Sequence, residues 1–565
     1  RTPLSRQRPE RPAPVTVRAW SRVDWDALCL TLLTADWGQL RASATVDEKL
    51  IAFMSVWEAA VTTHCPLITV TRRRPDCPWL RDNPEVQTAM ENRDADQRAW
   101  SATRTAAARL KYQQSRNTLK SIITRAKRQF ICDALTTDRR QFWSRIKAFS
   151  FRPSGGVPSC SDDVTSRADQ FNAHFSSVGA RIAAEIARDG GATTTGPRPP
   201  RVCASALTLR PATLPELWSA ISRMSGSRAV GVDGVPLFAV KKCFAVIGPH
   251  LLHLINHSIV TETFPAAWKI AQVTPIFKSG DRDDVSNFRP ISILSVLSKI
   301  AEKVIVLQLV PYLLDNHVLS PMQYAYRPNH CTEDAVLDAV EWISQTIDRG
   351  MIASLTTIDL SKAFDSVDHG VLLAKLGWCG VQSTGWFRSY LTGRQQTVRG
   401  GSSILPLTHG VAQGSIVGPI LFLIFINDLS SFLPHGRLLS YADDTQLLDH
   451  SLPDPTNLSS LRVRVEESIQ HLQNWFQANS LKMNPDKTDF TLFGTKSSLA
   501  KAADFSIQIS RSTITPSSTV KVLGVLLDQH LSWDSQVSMV VRRCNAIIAS
   551  LYKIRHHLTP DVLKL

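Results

Sequence analysis

No CxxC pair occurs in the 565 residues: the ten cysteines, at positions 29, 65, 77, 132, 160, 203, 243, 331, 379 and 544, are never closer than 12 residues apart. That spacing excludes zinc sites built on paired thiolates, and scattered core thiols in a reduced intracellular protein are the expectation. Long hydrophobic runs are also missing. The longest, Ile416 to Ile426, has 11 residues and contains Gly418 and Pro419, whereas a spanning helix needs about 20. Neither a transmembrane segment nor a membrane partner is expected. The chain opens on Arg1 with no apolar block behind it, so a secretory signal is not expected and the sequence reads as a fragment of something longer. Acid is in deficit, with 49 Asp and Glu against 64 Lys and Arg and a net charge of +15. Such a balance favours a polyanionic partner, nucleic acid ahead of an anionic membrane.

With 43% hydrophobic residues, the chain has apolar material for roughly three or four domains of about 150 residues. Residues 1–20 hold four Pro and five Arg with little apolar content and read as a disordered basic tail. Residues 21–150 read as a helical basic region interrupted near Pro75, Pro78 and Pro84. Its second part, 101–150, carries twelve Lys and Arg against Asp133 and Asp138 alone. That makes it a candidate RNA-binding arm, with Arg125, Lys127 and Arg128 as its densest basic cluster, or else a solvated helix face. Residues 151–206 read as linkers around one amphipathic helix, Ala168 to Ala187; the linkers are Arg152 to Asp163 and Asp189 to Ser205. From Leu207 onward helical stretches alternate with short Val, Ile and Leu runs, the pattern of a mixed α/β (α+β) body.

Ala353 to Leu360 (ASLTTIDL) reads as a buried strand with Asp359 at its C-terminal end, followed by helical spacing over Ser361 to Leu376. Arg437 to Leu448 (RLLSYADDTQLL) reads as a β-hairpin with Asp443 and Asp444 at its turn. Taken alone, that acidic pair is an ordinary turn. Pairing of the two segments would bring Asp359 against Asp443, where like charges about 4 Å apart repel by around 4 kcal/mol at an effective dielectric near 20. A cluster of that kind implies divalent cations, and oxygen ligands without His or Cys favour Mg²⁺ shared with substrate phosphates.

Tyr441-Ala442-Asp443-Asp444, together with Asp359 through Phe364-Asp365, resembles the catalytic boxes of reverse transcriptases. Further segments resemble the same enzymes in order and spacing: AVGVDGVP from Ala229, PIFKSGD from Pro275, NFRPI from Asn287, SPMQYAYRPNHCTEDA from Ser320, GVAQGSIVGP from Gly410 leading into a helix from Ile420 to Leu429, LKMNPDKT from Leu481 and VKVLGVLLD from Val520. SKAFDSVDH, GPILFLIFINDL and YADDTQLL are closest to non-LTR (LINE-type) retrotransposons of the jockey and chicken-repeat lineages. Ala412 stands where that family often has Pro.

The resemblance implies a right-hand polymerase with fingers at 207–350, a ferredoxin-like palm at 351–518, and a primer grip with a partial thumb at 519–565. It implies two Mg²⁺ ions, with Mn²⁺ as an alternative, on Asp359, Asp443 and Asp444. Lys278 and Arg289 are expected on the triphosphate, Phe364 under the sugar, Gln413 and Gly414 against template and nucleotide, and Lys487 as proton donor to pyrophosphate. Arg327 and Gly524 are expected to touch nucleic acid. Partners would be an RNA template, a DNA primer or target and dNTPs; localisation would be intracellular, and nuclear at integration. An RNA-dependent RNA polymerase fits less well, because Phe364 and Tyr441 replace its usual residues. A group II intron-type reverse transcriptase and a catalytically inactive RNA-binding remnant remain as alternatives.

Overall fold

The computed structural model describes residues 14–71, 78–81, 83–137, 167–188, 205–225, 230–509 and 512–555. The chain divides into two units, the larger made of residues 22–64 and 158–536. It contains an antiparallel four-stranded sheet in the order Asp489–Phe493, Ile352–Ile358, Asp444–Ser451, Arg437–Tyr441. Ile352–Ile358 (IASLTTI) is paired on both edges and buried at six of its seven positions, as expected of a central strand without a solvent face. Val336 and Ile343 of the helix Thr332–Asp348 cluster with Ala353, Leu355 and Phe493 of this sheet.

A second four-stranded sheet runs Phe288–Ile293, Ile270–Phe277, Arg394–Val398, Leu405–Leu407, with Ile270–Phe277 and Arg394–Val398 parallel. Burial alternates along Phe288–Ile293, the period of a strand with one covered face. The cover includes the helix Ala168–Arg188, whose Phe171 and Phe175 cluster with Val273, Phe288 and Val398. The helix expected between two linkers is therefore part of the folded body. Its flanks, 152–163 and 189–204, lie outside the described residues.

Other boundaries also differ from expectation. The helices Trp25–Thr34, Gly38–Ala42 and Val46–His64 belong to the larger unit, so 21–150 is not one basic region. Ser361 to Leu376 is not one helix: Ala363–Ser366 is a single turn, and Asp368 accepts the Val371 N–H at 2.9 Å to cap a new helix, His369–Trp378. The apolar helix near Ile420 spans Gly418–Ile426 and is buried at every position but Pro419, the mark of a core helix. Leu237–Val260 is long and apolar enough to cross a membrane by length and composition. Counting unbroken apolar runs missed it, because Lys241, Lys242 and three histidines interrupt it. Its Ile247, Leu251 and Leu254 are fully buried, and it packs on Trp25–Thr34, Val46–His64 and Leu214–Ser222 as a core helix.

The smaller unit comprises residues 1–21, 65–157 and 537–565. Pro14–Arg18 pairs antiparallel with Leu67–Thr71, so the stretch read as a disordered tail ends in a strand. Pro84–Thr103 and Ala106–Thr137 form a helical hairpin closed by Val86, Ala89, Leu119 and Ala126. Arg104, at φ 51°, makes the left-handed reversal between them.

Candidate active site

Strand register brings the acids together. Ile358 is opposite Thr445, so Asp359, one residue on, leaves the sheet beside Asp444, while Asp443 occupies the turn between Tyr441 and Asp444. All three line one cavity of about 650 Å³ in the larger unit. Burial, followed by the charges of Asp444 and Asp359, pushes Asp443 up to about 6. Burial and Asp359 likewise raise Asp444, against the pull of Lys278 and Arg289. A site that penalises its own negative charge is prepared for cations. The turn is held in a strained form: Ala442 has φ 56°, and Gln323 Oε1 accepts the Ala442 N–H at 2.9 Å.

Lys278 follows the strand Ile270–Phe277 and Arg289 lies on its partner, where Ile276 faces Arg289. Both are exposed and both line the cavity. Lys487 arrives by a different route. Asn484 N–H donates to Asp359 O at 2.9 Å and Ser361 N–H to Lys482 O at 2.9 Å, which zips the LKMNPDKT turn onto the first acidic box. Lys487 Nζ then lies 3.4 Å from Asp359 Oδ2.

Phe364 lines the cavity with its ring stacked on Phe422, centroids 4.3 Å apart at 17°. Gln413 and Gly414 line it as well. Gln413 Nε2 donates to Asp365 Oδ1 at 2.9 Å, and burial pushes Asp365 up to about 6. Gly414 has φ +127°, and a Cβ there would meet Ser292 O at 2.3 Å, so only glycine fits so close to that strand.

Five sequence-selected residues are absent from the cavity lining. Arg327 donates from Nη1 to Ser320 O and Gln323 O, both at 3.0 Å, and so ties its own loop together. Tyr326, at φ 54°, is the member of that loop that lines the cavity. Gly524 forms the turn of the hairpin Thr519–Val522 and Val525–Asp528, at φ +95°. Arg125, Lys127 and Arg128 are on the helix Ala106–Thr137 of the smaller unit. Arg125 is ion-paired with Glu85, and Lys127 Nζ lies 5.9 Å from the Trp79 ring centroid.

The sequence reading passed over several residues. Lys362 lines the cavity at φ 51°; burial lowers its pKa, with Lys278, Arg289 and Lys487 adding to that effect. Its place in SKAFD, three residues after the acid, was the available signal. Asp365 lies in the first acidic box, where the resemblance implies no role for it. Gln323 and Asn484 gave no signal, because amides are ordinary in loops.

No group of three His, Cys, Asp or Glu among the described residues forms a ready-made metal cage. Mg²⁺ does not require one, since it takes one or two carboxylates and completes its shell with water and substrate phosphates. The donor set of Asp359, Asp443 and Asp444, all oxygen and facing a basic wall, fits that ion.

Residues 276–527 match the family described as reverse transcriptase (RNA-dependent DNA polymerase). Over that segment the chain is similar to the reverse transcriptases of non-LTR retrotransposons. It is 31% identical over 352 residues to the probable RNA-directed DNA polymerase from transposon BS of Drosophila melanogaster, covering 60% of this chain and 38% of that protein. It is 25% identical over 357 residues to the RNA-directed DNA polymerase from mobile element jockey of the same fly, covering 61% and 38%. The X-element polymerase, also from that fly, is 25% identical over 346 residues, covering 60% and 37%. The chain thus spans well under half the length of these relatives. These similarities agree with the expected resemblance to jockey-type elements, and the reverse transcriptase match over 276–527 implies a polymerase fold there.

Proposed function

We propose that the chain is an RNA-directed DNA polymerase that extends a primer 3′-hydroxyl with dNTPs on an RNA template during retrotransposition. The observation that carries this reading is the single cavity shared by Asp359, Asp443, Asp444, Lys278, Arg289 and Lys487. Asp359 and Asp443 would be the principal ligands for two Mg²⁺ ions, Mn²⁺ being the alternative, with Asp444 as the supporting acid. Held there, such ions would supply charge stabilisation to phosphoryl transfer from the dNTP to the primer 3′-hydroxyl. Lys278 supplies a point charge and Arg289 a bidentate fork to the triphosphate. Gln413 and Gly414 orient the base, Phe364 excludes a 2′-hydroxyl, and Lys487 protonates the departing pyrophosphate.

In this reading the sheet bearing Lys278 and Arg289 belongs to the fingers. The sheet bearing the acids is the palm, and the hairpin around Gly524 is the primer grip at the start of a thumb. DNA primer or target and RNA template are the macromolecular partners, and the integration step takes place in the nucleus.

The test is primer extension by purified protein on an RNA template with Mg²⁺ and dNTPs. Asp359→Ala and Asp443→Ala should each abolish extension while retaining the wild-type melting transition. Undiminished extension by either variant would overturn the assignment of the acids.

A further inference from the structure

Glu302 is a fully buried carboxylate on the helix Val296–Asp315, far in sequence from the acidic boxes. Its Oε2 accepts the N–H of Ile416 at 2.6 Å and that of Val417 at 3.2 Å; its Oε1 accepts the Ser298 hydroxyl at 3.2 Å. Arg394, also buried, and Lys299, on the same helix, bring positive charge near it. Glu302 is absent from the cavity lining, so it does not face the space where a nucleotide would sit.

The two N–H groups it holds come immediately after Gln413-Gly414-Ser415 and immediately before the helix Gly418–Ile426. The loop is fixed at its other end as well, because Ser292 N–H donates to Gln413 O at 2.8 Å. Within it, Ser415 Oγ donates to Ala412 O at 2.8 Å and accepts the Gly418 N–H at 3.1 Å. Ser292 therefore pins the segment at Gln413, and Glu302 pins it three and four residues later. The segment between carries Gln413 and Gly414 into the cavity wall. Burying a carboxylate is costly, and a buried ionic group is often replaceable by apolar side chains at no loss of stability. A group that accepts two consecutive backbone N–H bonds fixes their direction, which an apolar side chain cannot do.

We propose that Glu302 is a positioning residue for nucleotide addition, anchoring Ile416 and Val417 so that Gln413 and Gly414 present the correct surface to the incoming nucleotide and its template base. The inference rests on the polymerase reading above. A displacement of about 1 Å at a positioning group can cost on the order of a hundredfold in rate.

The test is Glu302→Met, which keeps roughly the length of the side chain but removes the oxygen that both N–H groups share. The expected result is a rise of about ten- to a hundredfold in KM for the dNTP, with a smaller change in kcat. In a Gln413→Ala background the same substitution should add little, because both act through one loop. Additive losses, or an unchanged KM, would overturn the proposal. If the Met variant lacks the wild-type melting transition, Glu302→Asp applies the same test with the carboxyl kept but its oxygens drawn back from the two N–H groups.

Hydrogen exchange reads the anchor without turnover. In either variant the Ile416 and Val417 amides should lose protection while the helix Val296–Asp315 keeps its own. Amides that stay protected would refute the anchor. A wild-type protein inactive in primer extension would count against the polymerase reading, whereas the exchange result stands apart from it.

Discussion

Lys487 Nζ lies 3.4 Å from Asp359 Oδ2, which puts a proposed proton donor beside a proposed metal ligand. The contact follows from main-chain bonds joining Asn484 to Asp359 and Ser361 to Lys482 rather than from a rigid side chain. A cation on Asp359 would repel the ammonium and free it to meet the pyrophosphate. Lys487→Gln should therefore lower single-turnover kcat by about a hundredfold, the usual scale for a general acid. The Mg²⁺ concentration for half-maximal rate should stay the same or fall. A variant that loses rate only by requiring more Mg²⁺ would make Lys487 a partner of Asp359 and nothing more.

Phe364 has two contacts with different meanings, since its ring both stacks on buried Phe422 and lines the cavity. Phe364→Val keeps an apolar contact with Phe422 and opens space on the cavity side. Incorporation of NTP relative to dNTP should rise about tenfold or more, measured as the ratio of kcat/KM values on one primer. An unchanged ratio, accompanied by a lower melting temperature, would reduce Phe364 to a core aromatic.

Lys375 and Asp428 form a buried ion pair at 2.7 Å, with the ammonium also on Phe425 O at 2.6 Å and 4.4 Å from the Trp475 ring centroid. Burial pushes Lys375 down to about 8 even with Asp428 opposing it. Lys375→Met would leave a buried carboxylate without its cation and should destabilise the fold by about 3–5 kcal/mol. Lys375→Met with Asp428→Asn should recover most of that loss. Urea unfolding of the two variants checks both statements, and a double variant as unstable as the single one would contradict them.

What the sequence made legible was local. Ile352–Ile358 and the turn at Asp443 follow from strand periodicity and turn chemistry within a few residues, whereas the hairpin around Gly524 is reached only through the resemblance of VKVLGVLLD to a primer grip. Contacts made across the chain were not legible. Gln323 reaches Ala442 across 119 positions and Glu302 reaches Ile416 across 114, and neither residue type signals such a partner. The bonds from Arg327 to Ser320 O and Gln323 O were equally out of sight, because a basic residue in a loop can satisfy its own carbonyls as readily as a phosphate. The tail boundary failed for a similar reason: Pro14–Arg18 is a strand because Leu67–Thr71 pairs with it. Asp368 divides what periodicity joined, since its side chain caps a second helix where the spacing alone runs on.

The basic arm tests the charge asymmetry of the chain. On the helix Ala106–Thr137, Arg109, Lys111, Arg116, Lys120, Arg125 and Arg128 are exposed. Aromatics that could stack on unpaired bases pack on one another instead: Trp100 stacks on Tyr112 at 5.5 Å, and Phe130 meets Trp79 at 5.4 Å. Phe142 and Trp143 lie outside the described residues. The arm therefore offers charge rather than stacking. The Arg125–Glu85 pair is exposed on both sides, so little energy opposes its exchange for phosphate. Each phosphate neutralised on single-stranded RNA contributes about 0.7 to the slope of log K against log salt. Replacing Lys120, Arg125, Lys127 and Arg128 by Gln should lower that slope by up to about three. Extension of a short preannealed primer should persist, because none of the four lines the cavity that holds Asp359 and Asp443. An RNA affinity and salt slope equal to those of the wild type would make these charges a solvated helix face.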